Sequence, residues 1–536
     1  MAETMAAASA TSGISRLSKL IVATAVLASL LEIIDTSIVN VAIPRMQGNL
    51  GVTLDEITWV STGYIISNAI VLPISGWLGL KFGRKQYFTS CILLFTATSF
   101  LCGIAPNFGF LVFARVIQGA AGGALLPTAQ AIIQEQFPGE KAGIGSAIYG
   151  VSVMVGPAIG PTLGGYLTDN FNWRWIFNIN IPIGIVGAIL SYLVIDEPEH
   201  GQKRDTGRVD LMGFTLLVLG LGSLQFMLER GQADNWFSSP YILVSAVVAA
   251  MGLPLFYAWE SNNKDPIVDV KMFRESAIAN GTLLMGGTGL VLYSIIFIIP
   301  VFTDRIVGMD TTHTGILYIP GSLATMVTMI IAGRYLAKIG PKPMIGFGIA
   351  LISYSIYKLS ILTTRAGAPD IVWPLITRGV ALGFIFVPIN AMVLSQFTGK
   401  KLGQASGLLN LSRQIGGSIG IAAISTFLDR FSSQIKNDLL PYISSVGAQA
   451  QSELSKGVAA NATALQSQVG INQSTVGIGD QSFAALKNLS ERLDRQVFQL
   501  SFNRIMIGIL FVYALSFIPL FRIKLTKKIS GPVPLE

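Results

Sequence analysis

The sequence predicts an all-α membrane protein with about fourteen transmembrane helices. Hydrophobic residues make up 51% of its 536 residues and charged residues only 12%, against about 25% charged residues in a typical soluble domain. The mean hydropathy is +0.60. Apolar segments of roughly 20 residues, the length that crosses a bilayer, recur along the whole chain. A soluble fold could not bury so much apolar surface, so lipid is the solvent in which this chain folds.

The basic residues between the apolar segments predict the orientation of the chain. If the N-terminus is cytoplasmic, the short gaps on that side hold most of the Lys and Arg residues, as the positive-inside rule requires. We therefore expect a multi-pass protein of the cytoplasmic (inner) membrane with both termini in the cytoplasm. The predicted spans are 19–43, 57–79, 86–105, 108–133, 142–168, 175–195, 209–228, 240–259, 277–302, 313–333, 343–362, 371–396, 403–428 and 504–523.

Several function classes are excluded by what the sequence lacks. It has no G-x-x-x-x-G-K-[ST] phosphate loop, and Cys91 and Cys102 lie about three helical turns apart, too far for a disulfide. With only 2 histidines besides, no metal-ligand cluster is expected. The net charge of +8 is spread over the gaps between spans, which favours a role in topology over nucleic-acid binding. We therefore expect no enzyme, no cofactor, no metal and no nucleic-acid partner.

An internal repeat divides the chain. The segment GWLGLKFGRK at 76–85 matches GRYLAKIGPK at 333–342, an offset of 257 residues. Further matches follow at offsets of 261 and 260: Gly122 and Pro127 with Gly383 and Pro388, and Gly156 and Gly160 with Gly416 and Gly420. The simplest interpretation is a six-helix unit, two inserted spans and a second unit in the same orientation. Parallel halves of this kind are typical of transporters that rock around a site at the membrane midplane.

The repeat also gives the domain organisation. The predicted segments are a cytoplasmic N-terminus (1–18), an N-terminal six-helix half (19–195), a linker with two extra transmembrane helices (196–276), a C-terminal six-helix half (277–523) and a cytoplasmic tail (524–536). The C-terminal half includes an extracytoplasmic loop, 429–503, rich in Gln, Ser and Ala. This loop is either solvated or forms amphipathic helices that touch a partner, and the sequence leaves both open.

The first span, LLEIIDTSIVNVAIP at 30–44, carries two acids, Glu32 and Asp35. Their spacing places both on one helix face. An ionised acid at the bilayer centre costs about 2.5–3.5 kcal/mol, so such residues face the bundle interior or water and are usually functional. Repulsion between two ionised carboxylates favours a proton on one of them, which suits a proton carrier. Alternatively, Glu32 merely lies in a water-filled vestibule.

Arg115 is the expected partner of Asp35. Asp35 lies nine residues before Pro44 at the end of span 1, and Arg115 lies nine residues after Pro106 at the start of span 4. At about 1.5 Å of rise per residue, both lie at the same depth, and a buried arginine without an acid would be costly. The hypothesis is a switch in which protonation of Asp35 releases Arg115 and favours the opposite-facing state. A purely structural pair remains the alternative.

Small residues and prolines recur in span 5, in GVSVMVGPAIGPTLGG at 150–165. Glycines four residues apart share one helix face and allow close packing, and prolines allow the helix to bend. A span at the seam between two moving halves needs both properties. The residues of this pattern are Gly156, Pro157, Gly160, Pro161, Gly164 and Gly165.

These motifs together resemble the major facilitator superfamily and, within it, the fourteen-span drug:proton antiporters of the EmrB type. The resemblance covers nearly the whole chain. The motifs are IDTSIVNVAIP (34–44) in span 1, GWLGLKFGRK (76–85) between spans 2 and 3, ARVIQGAAGGALLP (114–127) in span 4, GVSVMVGPAIGPTLGG (150–165) in span 5 and WRWIFNINIPIG (173–184) in span 6.

The loop motif departs from the family at one position. It usually carries an aspartate where this chain has Leu80, so a charge relay from that position is not expected. Gly76, Gly83, Arg84 and Lys85 still suit a tight, basic turn on the cytoplasmic side.

The resemblance implies proton-coupled export of lipophilic or amphipathic toxic compounds by alternating access, driven by the proton gradient. It also implies a periplasmic adaptor and an outer-membrane channel as partners if the cell has two membranes. A dedicated exporter of one natural product, fatty acid or siderophore is the main alternative, whereas an inward symporter or a receptor fits less well. We expect Arg378 and Arg413 to pair with backbone or headgroups. Candidate substrate contacts between the halves are Asn40, Tyr64, Asn68, Gln118, Tyr293, Asn390 and Asn410.

Overall fold

The computed structural model describes residues 15–196, 210–309, 311–445 and 478–523. Four predicted segments fall partly or wholly outside these ranges: the N-terminus, the linker after span 6, the centre of loop 429–503 and the tail 524–536. The side chains of Pro157 and Pro161 also lie outside the described residues. Within the described ranges the chain is helical and contains no β-strand.

The helices of the described ranges follow the predicted spans in order. We label their fourteen long segments α1–α14. They are α1 Arg16–Leu50, α2 Leu54–Phe82, α3 Arg84–Gly103, α4 Phe108–Glu135, α5 Ala142–Asn170, α6 Trp175–Val194, α7 Leu211–Arg230, α8 Pro240–Asn262, α9 Ser276–Val307, α10 Thr311–Ile339, α11 Pro341–Ser360, α12 Ala368–Leu394, α13 Gly399–Ser445 and α14 Ile478–Ala514.

Length and hydropathy identify a multi-pass membrane protein. Eleven helices in the described ranges are long and apolar enough to cross a membrane, and α5, α11 and α13 are not among them. The predicted number of fourteen spans therefore stays a prediction. The outward surface of these helices is rich in exposed apolar side chains, such as Phe113, Leu193 and Phe511, as expected for contact with lipid.

Several boundaries differ from the sequence prediction. Span 1 was expected to end at 43, but α1 continues through Pro44 to Leu50. Span 13 was expected to end at 428, but α13 continues to Ser445, and α14 begins at Ile478. The extensions pack against each other, because Ile435 and Phe498 are both buried and Lys436 Nζ lies 3.1 Å from Asp494 Oδ1. Contact between segments far apart in sequence therefore extends both helices into the predicted loop.

The internal repeat is visible in the backbone. Gly83 has φ 86° and Gly340 has φ 84°, a region that side-chain-bearing residues rarely adopt. Each glycine ends one helix and precedes the next, at equivalent positions of the two repeats. We call the end of the bundle that holds these turns the Gly83 face, and the opposite end, with the left-handed helix cap at Gly51, the Gly51 face.

The two halves meet closely near the Gly83 face. A Cβ atom at Gly76 of α2 would lie 2.6 Å from the backbone nitrogen of Gln404 in α13. A Cβ atom at Gly143 of α5 would lie 2.6 Å from the carbonyl oxygen of Gly333 in α10. Backbones approach this closely only at glycine. The two crossings involve equivalent helices of the repeat, so the halves are closed against each other on this side.

The inserted helices α7 and α8 contact both halves. At the end of α7, Arg230 Nη2 lies 2.9 Å from Asp55 Oδ1 in α2. On another face of the same helix, Gln225 Nε2 donates to Ser418 Oγ of α13 at 2.5 Å. The insertion is therefore packed into the bundle and is not a detached pair.

Candidate functional site

The centre of the N-terminal half holds a buried ion pair. Arg115 Nη1 of α4 lies 2.6 Å from Asp35 Oδ2 of α1. Asp35 is 0% and Arg115 1% exposed. The pair predicted from equal depth is therefore present. Arg115 Nε also donates to the carbonyl oxygen of Val60 at 3.1 Å, so the guanidinium is held by α1, α2 and α4 together.

Amide side chains complete the coordination of the Asp35 carboxylate. Asn180 Nδ2 and Gln118 Nε2 donate to Asp35 Oδ1 at 2.8 Å and 3.2 Å. Gln118 Oε1 in turn accepts from Arg115 Nη1 at 2.8 Å. Ser99 Oγ accepts from both amides. A buried charge that is paired and hydrogen-bonded on all sides avoids most of the penalty of burial.

Aromatic rings enclose the pair. The ring of Tyr64 lies 4.2 Å from the Arg115 guanidinium carbon and the ring of Phe177 lies 5.6 Å from it. Both distances are within the range of cation–π attraction. The rings also keep water away from the ion pair, because Tyr64 is 2% and Phe177 0% exposed.

Glu32 occupies a separate environment on the same helix face. It is 3% exposed, and its Oε1 accepts from Asn68 Nδ2 at 3.0 Å. Its other oxygen, Oε2, is buried without a hydrogen-bond partner. Glu32 therefore does not lie in an open vestibule in this conformation. Unlike Asp35, it can accept a proton without breaking an ion pair.

The glycine pattern of α5 packs against α1. Cβ atoms at Gly156, Gly160 and Gly164 would lie within 3 Å of α1, whereas nothing lies within 4 Å of such an atom at Gly165. Ser37 Oγ donates to the Gly156 carbonyl at 3.0 Å. Close packing of the helix that carries both acids against α5 therefore requires the first three glycines but not the fourth.

Three residues expected at the substrate belong instead to the acid network in this conformation. Tyr64 and Gln118 contact Arg115, and Asn68 donates to Glu32. All three are buried. Their contact with substrate stays a prediction.

Asn390 and Asn410 lie in a polar seam between the halves. Gln130 of α4 donates to Asn390 Oδ1 at 2.6 Å, and its own Oε1 accepts from Asn410 Nδ2 at 2.8 Å and from Ser406 Oγ at 2.6 Å. Tyr149 of α5 donates to Asn410 Oδ1 at 2.9 Å. In this conformation the two asparagines join the halves and do not line open space. Gln130 and Tyr149 were not among the predicted site residues, although each is a polar residue in an apolar span.

The remaining cavity candidates are more open. Asn40 of α1 is exposed, and its Oδ1 accepts from Ser61 Oγ at 3.4 Å. Tyr293 of α9 is half-buried, and its ring lies against Gly417 of α13.

The loop motif forms a basic turn on the Gly83 face. Arg84 makes a two-point ion pair with Glu135 at the end of α4, with 2.6 Å between Nη1 and Oε1. Lys85 Nζ lies 5.2 Å from the ring centre of Tyr192. Leu80, at the position of the family aspartate, is buried. Glu135 of α4 therefore compensates the charge of Arg84 in this turn.

Arg378 and Arg413 differ from expectation. Both are buried, but neither donates a hydrogen bond nor forms an ion pair within the described residues. Their neighbours are aromatic rings: Tyr318 at 5.7 Å from Arg378 and Phe386 at 5.8 Å from Arg413. The expected pairing with backbone is therefore absent among the described residues, and pairing with lipid headgroups stays a prediction.

The described residues contain no group of three or more His, Cys, Asp and Glu side chains that could hold a metal ion. Cys91 and Cys102 are free and buried. The chemistry of the site is therefore that of carboxylates, guanidinium groups and amides.

The profile of the Major Facilitator Superfamily matches residues 25–421. The chain belongs to the major facilitator superfamily. The predicted all-α major facilitator fold is thereby confirmed.

Two relatives place the chain more closely. It is 33% identical over 402 residues, 75% of this chain and 78% of the relative, to the "Multidrug export protein EmrB" of Escherichia coli K12. It is 31% identical over 408 residues, 75% and 79% of the two chains, to the "Fatty acid resistance protein FarB" of Neisseria gonorrhoeae. The predicted relationship to the EmrB type is therefore confirmed.

A solved structure shares the fold. The human organic anion transporter MFSD10 matches with a TM-score of 0.60 and 11% identity, over 92% of this chain and 99% of that one. At this identity the likeness concerns the fold alone.

Proposed function

We propose that this protein exports lipophilic or amphipathic toxic compounds across the cytoplasmic membrane in exchange for protons. Export by EmrB-type relatives supports the direction and the substrate class. The buried pair of Asp35 and Arg115 is the observation that carries the proton coupling.

A proton on Asp35 would change the charge balance of the whole network. The neutral carboxyl no longer attracts Arg115, whose guanidinium would then keep only the Val60 carbonyl and Gln118 as acceptors. Because these groups lie on α1, α2 and α4, loss of the charge weakens the contact among three helices of one half. A state in which Arg115 finds other acceptors or water would then be favoured. Glu32, one helical turn away, provides a second carboxyl for the proton path.

The Gly83 face is the cytoplasmic face in this proposal, and both termini are cytoplasmic. The turn carries Lys81, Arg84 and Lys85, and the equivalent turn carries Lys338 and Lys342, as the positive-inside rule expects. The closed seam at Gly76 and Gly143 then separates the binding region from the cytoplasm. This conformation is the one from which a substrate would leave the cell and a proton would enter the site.

The proton gradient would supply the energy, with no other cofactor. One charge crossing a membrane gains about 2.3 kcal/mol per 100 mV, before any pH difference is counted. In a cell with two membranes, a periplasmic adaptor and an outer-membrane channel would carry the substrate onward. The helical extensions of α13 and α14 beyond the predicted spans offer a surface for an adaptor on the opposite side from the Gly83 face.

A dedicated exporter of one compound class is the second candidate. It would carry a natural product, a fatty acid or a siderophore. The similarity to FarB, whose name associates it with fatty acid resistance, favours fatty acids among these. A panel of substrates distinguishes the candidates, because the dedicated exporter moves one class and the multidrug exporter moves several.

The test is dye uptake by inverted membrane vesicles under an imposed pH gradient. We expect uptake by the native protein to require the gradient, and Asp35→Asn to reduce it to the level of vesicles without the protein. Asp169→Asn is the matched control, because Asp169 is an exposed acid whose ion pair with Arg45 lies at the surface. Gradient-driven uptake that survives in Asp35→Asn would remove Asp35 from the proton path.

A further inference from the structure

Arg413 in α13 is a buried cation without an anionic partner. It is 6% exposed, its Nε is buried without a hydrogen-bond partner, and no acid lies within ion-pair distance among the described residues. A buried charge of this kind is expensive unless another charge compensates it. The arrangement therefore needs a compensating anion.

The C-terminal half does not supply that anion. Its predicted spans, 277–302, 313–333, 343–362, 371–396, 403–428 and 504–523, contain no Asp and no Glu. Arg115 shows the contrast, because its guanidinium meets Asp35, the Val60 carbonyl and Gln118. The compensating charge for Arg413 must come from the N-terminal half, from the inserted helices or from a ligand.

The surroundings of Arg413 combine polarity and aromatic surface. Glu32, across the seam, attracts Arg413 without touching it, and Tyr149 interacts electrostatically with Arg413, Glu32 and Tyr293. The ring of Phe386 lies 5.8 Å from the Arg413 guanidinium carbon. These groups come from α1, α5, α9, α12 and α13, so they meet where the halves face each other.

The guanidinium is also accessible. Its terminal nitrogens, Nη1 and Nη2, donate no hydrogen bond within the described residues, yet they are not among the enclosed atoms without partners. They therefore keep a small accessible surface and free donor capacity. A planar guanidinium with two free terminal nitrogens matches the geometry of a carboxylate, and the aromatic rings beside it suit an apolar body.

We propose that Arg413 is the recognition site for the acidic group of an amphipathic anion, with the apolar part of the ligand against the half-buried ring of Tyr293. This inference rests on the proposed function and narrows its substrates to a class that includes carboxylates. Glu32 partly compensates Arg413 when the site is empty, and the ligand carboxylate takes over this role when it binds.

Binding to the purified full-length protein in detergent tests the proposal, with three probes of equal chain length: dodecanoate, its methyl ester and dodecylamine. We expect the native protein to bind dodecanoate at least about tenfold more tightly than the ester, as for a charge-assisted hydrogen bond. Arg413→Gln should remove this preference and leave ester binding unchanged. Arg413→Lys should keep part of it, because the charge remains while the two-point geometry is lost.

Arg378→Gln is the matched control, because Arg378 is another buried arginine of the same half with no ion pair in the described part of the chain, but it lies beside Tyr318. It should keep the preference for dodecanoate. Equal affinity of the native protein for the acid and the ester would overturn the proposal, even if Arg413→Gln failed to fold. An equal loss of preference in both Arg→Gln variants would overturn it as well.

Vesicle uptake of a cationic dye separates this proposal from the proposed function. If gradient-driven uptake of the dye is intact while no variant changes dodecanoate binding, export stands and the Arg413 site is wrong. If dodecanoate binding depends on Arg413 while no compound moves with the gradient, the site stands and proton-coupled export is wrong.

Discussion

In the N-terminal half, the buried guanidinium of Arg115 meets the carboxylate of Asp35 at 2.6 Å, whereas in the C-terminal half Arg378 and Arg413 lie buried beside aromatic rings and without a carboxylate partner among the described residues. The N-terminal half thus pairs its buried arginine with a carboxylate, and the C-terminal half does not do so within the described residues. Helix packing, in contrast, is shared. The crossings at Gly76 and Gly143 involve equivalent helices and the same close approach of backbones.

The two halves of the repeat therefore share their glycine crossings but differ in the partners of their buried charged side chains. In the proposed mechanism, both halves need glycine crossings because the seam between them closes and opens. Only the N-terminal half would then need a carboxylate that gains and loses a proton, and the C-terminal half could present cationic groups to the space between them. The proposed proton site on α1 and the proposed anion site on α13 would face each other across the seam.

The largest effect is expected from removing the paired arginine. Arg115→Gln leaves the Asp35 carboxylate, 0% exposed, without its cation, and breaking a buried pair costs about 3–5 kcal/mol. Arg378→Gln removes a buried cation that has no carboxylate partner in the described part of the chain, so we expect no loss of stability. The midpoint of thermal unfolding of the purified protein measures both changes.

A third variant tests the cause of that difference. Asp35→Asn combined with Arg115→Gln removes both charges and should recover part of the stability lost in Arg115→Gln, because no uncompensated charge remains. An equal fall in the midpoint for Arg115→Gln and Arg378→Gln would contradict the comparison of the halves.

An intermediate effect is expected from opening the shared seam. Gly76→Val places side-chain atoms against the backbone of Gln404, and overpacking of this kind costs about 1–3 kcal/mol. The halves should separate on the Gly83 face, so a cysteine at the other crossing, Ala147→Cys, should react faster with a water-soluble maleimide. The background is low because both native cysteines are buried.

Gly165→Val is the control for the seam, because a Cβ atom at Gly165 meets nothing within 4 Å. It should leave the reactivity of Ala147→Cys unchanged. No increase in Gly76→Val would show that the two crossings do not open together, and the halves would then not behave as rigid bodies.

The sequence predicts the ion pair but not its surroundings. Asp35 and Arg115 can be matched because each lies nine residues from a proline that the sequence predicts at the end of a span, although α1 continues past Pro44 to Leu50. Asn180 and Ser99, which complete the site, depend on how α3 and α6 rotate against α1, and no local pattern records that rotation. The sequence also does not distinguish an amide side chain that binds a ligand from one that hydrogen-bonds to other protein groups. For this reason Gln118 was expected at the substrate.

The same limit applies to the long helices and to the arginines. The extension of α13 to Ser445 depends on packing against α14, which lies far away in sequence. Arg413 was expected to pair with backbone or headgroups because of its place in a predicted span. Its lack of a partner becomes visible only when the neighbours on five helices are known.

The smallest effects are expected in a graded series of ion pairs within the N-terminal half. The side chains of Asp35 and Arg115 are 0% and 2% exposed, those of Arg84 and Glu135 are 15% and 27% exposed, and those of Arg45 and Asp169 are 68% and 66% exposed. Solvent weakens an ion pair as its exposure rises, so that surface pairs contribute about 0–1 kcal/mol. Double-mutant cycles with Gln and Asn substitutions, measured as shifts of the unfolding midpoint, should therefore rank the coupling energies in this order. The Arg45–Asp169 pair should give almost none, and the Arg84–Glu135 pair a value between the other two. A coupling energy for Arg84 and Glu135 as large as that for Asp35 and Arg115 would contradict the ranking by exposure. The ion pair in the basic turn on the Gly83 face would then contribute as much to the stability of the half as the pair at its centre.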